Sequence, residues 1–318
     1  MSNNGKDDSI LNRLVVFLKD EACLSIQSIN LIKPTIYFII DQHNQQFILK
    51  GYRKNETIDK QLELFNQLDA SFVIPFCAFP NKKQYLLWEG YYWTLQKYCS
   101  GRKLNFNNKK DRDDAWKTMK QFHNQTNELN LTRKSRSTDF ISKWQGRLDK
   151  WKQSKELINY LGFPILYDEI EEQLLHSIDA FLSINQPAIE ENPLYQTNWI
   201  HGDVASHNFL RDNKGNVYLI DFDLLSASPS IYDEIQLGQR YLPYIGHDFN
   251  QLADYIEPGS TQAYQLFRVA LTIPADFVRE WWYFVVKTNE LTKISHFLID
   301  FQLSWEERKQ FVRKINKT

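Results

Sequence analysis

Cysteine is scarce in this chain. There are three, Cys23, Cys77 and Cys99, in 318 residues, and no two share a C-x-x-C spacing. That excludes a zinc-ribbon framework and a disulfide-stapled scaffold, and makes a reducing compartment the default. Net charge is nearly absent: 38 Lys and Arg stand against 39 Asp and Glu. Such a balance argues against a dedicated nucleic-acid or anionic-membrane binder, so neither partner is expected. No apolar run approaches the roughly 20 residues of a membrane span. The longest, near Trp281 to Val286, is far too short. The stretch Met-Ser-Asn-Asn-Gly-Lys-Asp-Asp at the start is polar, with no apolar core of signal-peptide type behind it. A cytoplasmic location is the resulting expectation. Internal repeats and low-complexity tracts are missing as well.

What is present is length enough for two lobes with separate cores, and a high aromatic content of 14%. Residues 7–23 carry Ile10, Leu11, Leu14, Val15, Phe17 and Leu18 at helical spacing behind an acidic first turn. Strand-like runs follow at 26–31, 35–40 and 47–50, the last two read as a hairpin around a polar turn at 41–46. Helical periodicity returns over 56–68, then short strand-like runs at 72–75, 85–88 and 93–98, and a turn at Cys99-Ser100-Gly101. Beyond Gly101 the pattern is mostly helical, with helices expected over 111–123, 140–157, 167–182, 231–242, 248–256, 260–271, 274–287 and 304–317. Residues 185–198 and the segment from Asp223 through Ser230 read as loops. The fold class expected is α+β, with a small β-rich N-lobe over 1–98 and a larger helical C-lobe over 99–318.

The chemistry concentrates in Trp199-Ile200-His201-Gly202-Asp203-Val204-Ala205-Ser206-His207-Asn208 and in Ile220-Asp221-Phe222-Asp223, joined by a hairpin turn at 211–216. H-x-D-x-x-x-x-N is the pattern of a kinase catalytic loop. Asn208 and Asp221 offer the hard oxygens that suit Mg²⁺. Asp203 is then the candidate catalytic residue, orienting an acceptor hydroxyl and taking its proton. Lys50, closing the strand Phe47-Ile48-Leu49-Lys50, is the candidate for the nucleotide phosphates, and Glu63 on the next helix the candidate to ion-pair with it. Backbone groups around Lys97 to Cys99 are placed to bond an adenine edge. The bland alternatives are an edge-strand lysine for Lys50 and a surface glutamate for Glu63.

These residues resemble the aminoglycoside phosphotransferase and choline kinase superfamily, and the resemblance implies its bilobal protein-kinase-like fold and the phosphorylation of a small molecule. His201-Gly202-Asp203 with Asn208, and Ile220-Asp221-Phe222-Asp223, are similar to its catalytic loop and metal-binding strand. Asp223 fits an acidic position two after the metal aspartate. The resemblance implies that His201 and Asp233 support the catalytic loop, with Asp233 opening the helix that follows. Phe122-His123-Asn124-Gln125-Thr126 also has the family's look. Ala270-Leu271-Thr272-Ile273-Pro274-Ala275-Asp276-Phe277-Val278-Arg279 is similar to the bacterial spore-coat branch. One departure stands out. The glycine-rich phosphate loop belongs near Leu31 to Ile40, and no glycine occurs there. Glycine lets backbone amides approach phosphate closely, so one nucleotide contact is weakened.

The expected activity is transfer of the ATP γ-phosphate, with ATP and Mg²⁺ as cofactors, to a hydroxyl of a small-molecule acceptor. An amine-containing acceptor is one candidate, since Tyr232, Tyr241, Tyr244 and Tyr255 with Glu234, Asp248 and Asp254 could line an aromatic, acidic pocket; packing is the commoner reason for such tyrosines. The alternative expectation is a non-catalytic or weakly active kinase-like binding or structural protein, associated with a spore coat and partnered by spore-coat proteins.

Overall fold

The computed structural model describes residues 4–127, 129, 140–185, 197–256 and 261–316. In chain order the first elements are α1 (Asn4–Ala22), β1 (Ile26–Lys33), β2 (Ile36–Asp41), β3 (Gln46–Tyr52), α2 (Asn55–Phe65), β4 (Phe76–Cys77), β5 (Leu86–Trp88), β6 (Tyr91–Lys97) and β7 (Gly101–Lys103). Then come α3 (Lys109–Thr126), α4 (Phe140–Gln153), α5 (Lys155–Tyr160), α6 (Pro164–Asn185), β8 (Thr197–Ile200), β9 (Phe209–Asp212), β10 (Val217–Leu219) and β11 (Ser226–Pro229). The chain continues through α7 (Ile231–Tyr241), α8 (Asn250–Ala253), α9 (Thr261–Thr272), α10 (Ala275–Val285) and α11 (Leu291–Ile315).

These elements form two compact units, one of Met1–Leu104, Asn124–Arg133 and His207–Leu225, the other of Asn105–His123, Lys134–Ser206 and Ser226–Thr318. The division differs from a single cut at 98/99. The reason is strand pairing: β7 pairs β9, which pairs β10, so a late hairpin joins the early sheet's unit.

In the first unit an antiparallel sheet runs β1-β2-β3-β6-β4, with β5 also on β6. Alternation gives it two faces. Ile39, Phe47, Leu49 and Leu95 bury one face, where Leu14, Leu18 and Ala22 of α1 lie at four-residue spacing. Phe17 stacks on Trp88 at 5.5 Å. Lys50 directly opposes Thr94 in register and therefore lies on the other face. Gly51 is explained by its neighbour, because a Cβ there would meet the Trp93 ring at 3.1 Å.

Several local expectations need correction. Residues 72–75 do not make a strand; a short 3-10 turn at Ala70–Phe72 precedes the two-residue β4. Pro75 has no N–H to give to a ladder, and the Ile74 carbonyl is taken by the Gln96 amide at 2.9 Å. The segment expected to be loop through Ser230 contains β11, paired with β8. The helix expected over 140–157 breaks at Ser154, whose hydroxyl donates to the Lys150 carbonyl at 3.2 Å and accepts the Trp281 indole N–H at 2.7 Å. The last helix begins at Leu291 rather than 304.

The second unit is helical around a buried tryptophan core of Trp144, Trp151, Trp281 and Trp305. Indole nitrogens need partners when buried. Trp151 donates to the Tyr167 carbonyl at 3.1 Å and Trp305 to Glu169 at 2.9 Å. Trp281 is core whereas Tyr283 is exposed, as a helix carrying Trp281-Trp282-Tyr283-Phe284 requires. Among the described residues no helix is long and apolar enough to cross a membrane.

Candidate active site

In the second unit β8 and β11 pair with Ile200 opposite Ser226, and this register sets residues 201–203 beside the start of α7. Asp233 is fully buried there. Its carboxylate accepts the His201 N–H at 2.8 Å and the Gly202 N–H at 2.9 Å, and meets His123 Nε2 at 3.0 Å. Burial alone would raise the Asp233 pKa. The His123 hydrogen bond and charge, with the charge of His201 and the Gly202 N–H, instead hold it below the ordinary carboxylate value. Gly202 has φ +79°, a conformation that favours glycine. The Asp203 N–H reaches His201 Nδ1 at 3.2 Å, and the Gln236 amide donates to the Gly202 carbonyl at 3.0 Å. The loop that carries Asp203 is thus held at three successive residues. The Asp203 side chain remains about a third exposed and ion-pairs with the Arg240 guanidinium.

In the first unit the β9–β10 hairpin carries the proposed metal residues. Asp212 closes its turn by accepting the N–H groups of Lys214 and Asn216 at 2.9 and 2.8 Å. The Ile220 N–H donates to the Asn208 carbonyl at 2.9 Å, which brings Asn208 beside Asp221. Asp221 has φ +67°, left-handed backbone that turns the chain sharply after β10. Phe222 is buried, its ring edge-on to Phe65 of α2 at 5.3 Å. Lys50 Nζ lies 2.6 Å from Asp221 and 2.7 Å from Asp223. Burial alone would lower the Lys50 pKa; Tyr52, Asp223 and Asp221 together raise it above its ordinary value. Burial also pushes the Tyr52 phenol up, so it is neutral at ordinary pH and the two carboxylates hold the ammonium. Burial and the charge of Asp221 raise the Asp223 carboxyl, against the pull of Lys50.

The structure therefore joins Lys50, Asp221 and Asp223 in one unit, and His201, Asp203 and Asp233 in the other. Glu63 lies half-buried on α2, while Asp221 and Asp223 are the carboxylates that ion-pair with Lys50. Lys97 and Cys99 line a pocket of 660 Å³ with Val73, Cys77 and Tyr218. Lys97 opposes Phe47 in register, so its side chain lies on the face away from Lys50. Sequence reasoning missed Arg240. Its signal was the seven-residue spacing from Asp233, two turns of one helix and hence one face. It also left Asp223 without a partner. Of the tyrosines considered for an acceptor pocket, Tyr232 and Tyr241 are buried core, and the Tyr255 hydroxyl is committed to Asp113.

The family model of the phosphotransferase enzyme family matches residues 31–245. The chain belongs to the phosphotransferase enzyme family. Among solved structures, an aminoglycoside phosphotransferase from Alicyclobacillus acidocaldarius matches with a TM-score of 0.69 at 18% identity, over 96% of this chain and 95% of that one. Spectinomycin phosphotransferase APH(9)-Ia in an AMP-bound complex matches with 0.60 at 14%, over 96% and 94%. Choline kinase LicA from Streptococcus pneumoniae matches with 0.53 at 13%, over 96% and 99%. At such identities the likeness establishes the fold, which is kinase-like. No curated protein matches the chain.

Proposed function

We propose that this phosphotransferase family member transfers the γ-phosphate of ATP to a hydroxyl of a small molecule. The observation that carries the reading is the Lys50–Asp221 ion pair at 2.6 Å, formed between residues 171 apart in the chain. A sheet lysine and a metal-binding aspartate are the two groups that kinase chemistry needs at one phosphate site. The residues fit magnesium in kind: the Asp221 and Asp223 carboxylates and the Asn208 amide are hard oxygen donors, with no thiolate or imidazole among them. Asn208 and Asp221 would hold the ion, which offsets phosphate charge when bound. Lys50 contacts the nucleotide phosphates, backbone groups at Lys97 and Cys99 bond the adenine edge, and Glu63 supports Lys50 from α2. His201 and Asp233 fix the loop. Asp203 orients the acceptor hydroxyl and takes its proton as the acceptor oxygen bonds to the γ-phosphorus and the bond to the ADP oxygen breaks.

Thermal stabilisation by ATP with Mg²⁺ tests this reading. A clear rise in melting temperature that Asp221→Asn abolishes is expected. No shift at millimolar nucleotide would favour a second reading, a kinase-like binding or structural component associated with a spore coat. The observation behind that reading is the β1–β2 turn. It is closed by Pro34 and Thr35, has no glycine, and holds Thr35 at φ +65°. A two-residue turn built this way offers few backbone N–H groups to phosphate.

A further inference from the structure

The second unit gathers positive charge around Asp203 beyond what the roles above use. Lys143 and Arg147 are one turn apart on a single face of α4, Arg240 is on α7, and Arg279 is on α10. Arg240 ion-pairs with Asp203, and Arg147 donates to the Ala275 carbonyl at 3.1 Å, tying α4 to the start of α10. The groups sense one another. Burial and the neighbouring Arg279 push the Arg147 guanidinium down to about 10, against the pull of Asp276. Burial and Arg147 lower Lys143, against the pull of Asp233 and Asp203. Burial also lowers Arg240, opposed by Asp203 and aggravated by Arg279.

The carboxylates nearby have other neighbours. Asp203 faces Arg240, Asp233 is saturated by the loop N–H groups and His123, and Asp276 lies 3.7 Å from the fully buried Arg308. Glu280 is shifted toward its neutral form by burial and by Asp276. Among the described residues Lys143, Arg147 and Arg279 have no carboxylate within ion-pair distance. Lys143 and Arg147 are partly desolvated, and cations left in this state are costly unless an anion joins them. Three of the four are arginines at neighbouring positions, the residue suited to oxyanions with paired oxygens.

We infer that this cluster is the acceptor subsite, and that the acceptor is an anionic hydroxyl compound bearing a carboxylate or a phosphate. The inference rests on Asp203 acting on the acceptor hydroxyl as proposed above. The reaction keeps the same balance: the acceptor oxygen bonds to the γ-phosphorus of ATP, ADP leaves, and the hydroxyl proton passes to Asp203. Lys143, Arg147 and Arg279 bind the anionic group, and a cationic acceptor is repelled.

Equilibrium binding to the full chain by calorimetry tests it, comparing D-glucose 6-phosphate and D-gluconate with D-glucose, choline and kanamycin, with and without ATP and Mg²⁺. At least one of the two anions should bind tenfold or more tighter than glucose, and which one binds separates phosphate from carboxylate. Arg279→Ala and Arg147→Ala should each weaken that anion about tenfold while the ATP-induced thermal shift stays intact. Arg279 is exposed, so its variant keeps the fold even if Arg147→Ala does not. Three results would overturn the inference: neither anion binding tighter than glucose, choline or kanamycin binding tighter than both anions, or arginine variants that weaken ATP and spare the anion. Loss of nucleotide binding with anion binding retained would instead overturn the kinase reading and uphold the anion site.

Discussion

Asp233 and Asp221 are both carboxylates assigned to the proposed site, and their surroundings are opposites. Asp233 is fully buried and held by two backbone N–H groups and an imidazole. Asp221 is about a third exposed and ion-pairs with the Lys50 ammonium, which it shares with Asp223. A carboxylate fixed on all sides can only brace; one that shares an ammonium and keeps a third of its side chain in solvent is open to a further cation. Asp203, with Arg240 opposite and a third of its side chain in solvent, belongs with Asp221.

If that contrast holds, activity and stability separate by residue. The largest effect should come from Asp203→Asn, with turnover falling by roughly 10²- to 10⁴-fold, the usual range for general acid–base groups. Its folding stability should fall less than that of Asp233→Ala, because the ion pair it loses to Arg240 is partly solvated. Steady-state kinetics beside urea unfolding would show both, and full activity in Asp203→Asn would break the assignment. Asp233→Ala should do the reverse at the level of the fold. It strands two buried N–H groups and an imidazole, at a cost of about 3 to 5 kcal/mol, read as a drop in the unfolding midpoint.

The pH dependence sharpens the same contrast. The folded-state pKa of Asp233 lies below its unfolded value, so its contribution is fully present above the ordinary carboxylate range. It is lost as pH falls from the unfolded pKa through the folded one. Wild-type stability should therefore decline in acid more steeply than that of Asp233→Asn, and parallel acid limbs would count against the brace. Gly101→Ala should cost about 1 to 3 kcal/mol by crowding, since its Cβ would lie 2.3 Å from the Arg211 carbonyl oxygen. The smallest effect is expected at the turn ahead of Lys50. Thr35→Gly removes a left-handed β-branched residue and should raise stability by about 1 kcal/mol or less, glycine's own entropy offsetting part of the relief.

Much of this was legible in the residues. The β2–β3 hairpin, the α2 face of Ile58 and Phe65, and the run from His201 to Asp223 announce themselves through periodicity and a spaced motif. The β8–β11 pair was not legible, because strands of four residues joined across a long insertion carry no local pattern. Ser226-Ala227-Ser228-Pro229 has neither alternation nor bulk. The partners of Lys50 were half legible: Asp221 and Asp223 were visible as acids, but their meeting with a lysine 171 residues away is tertiary. The convergence of Lys143 and Arg147 with Arg240 and Arg279 gave no sign, because three separate helices, α4, α7 and α10, supply them.

The β7–β9 pairing has a consequence for how the chain comes to be folded. Residues 101–103 find their strand partner only at 210–212. At about 5 to 20 residues per second of synthesis, the early sheet waits roughly 5 to 20 s for the hairpin that completes its unit. In that interval β7, which belongs to no part of the early sheet and pairs only with β9, has no strand partner at all. A fragment ending at Leu104 would leave those three residues without a ladder permanently.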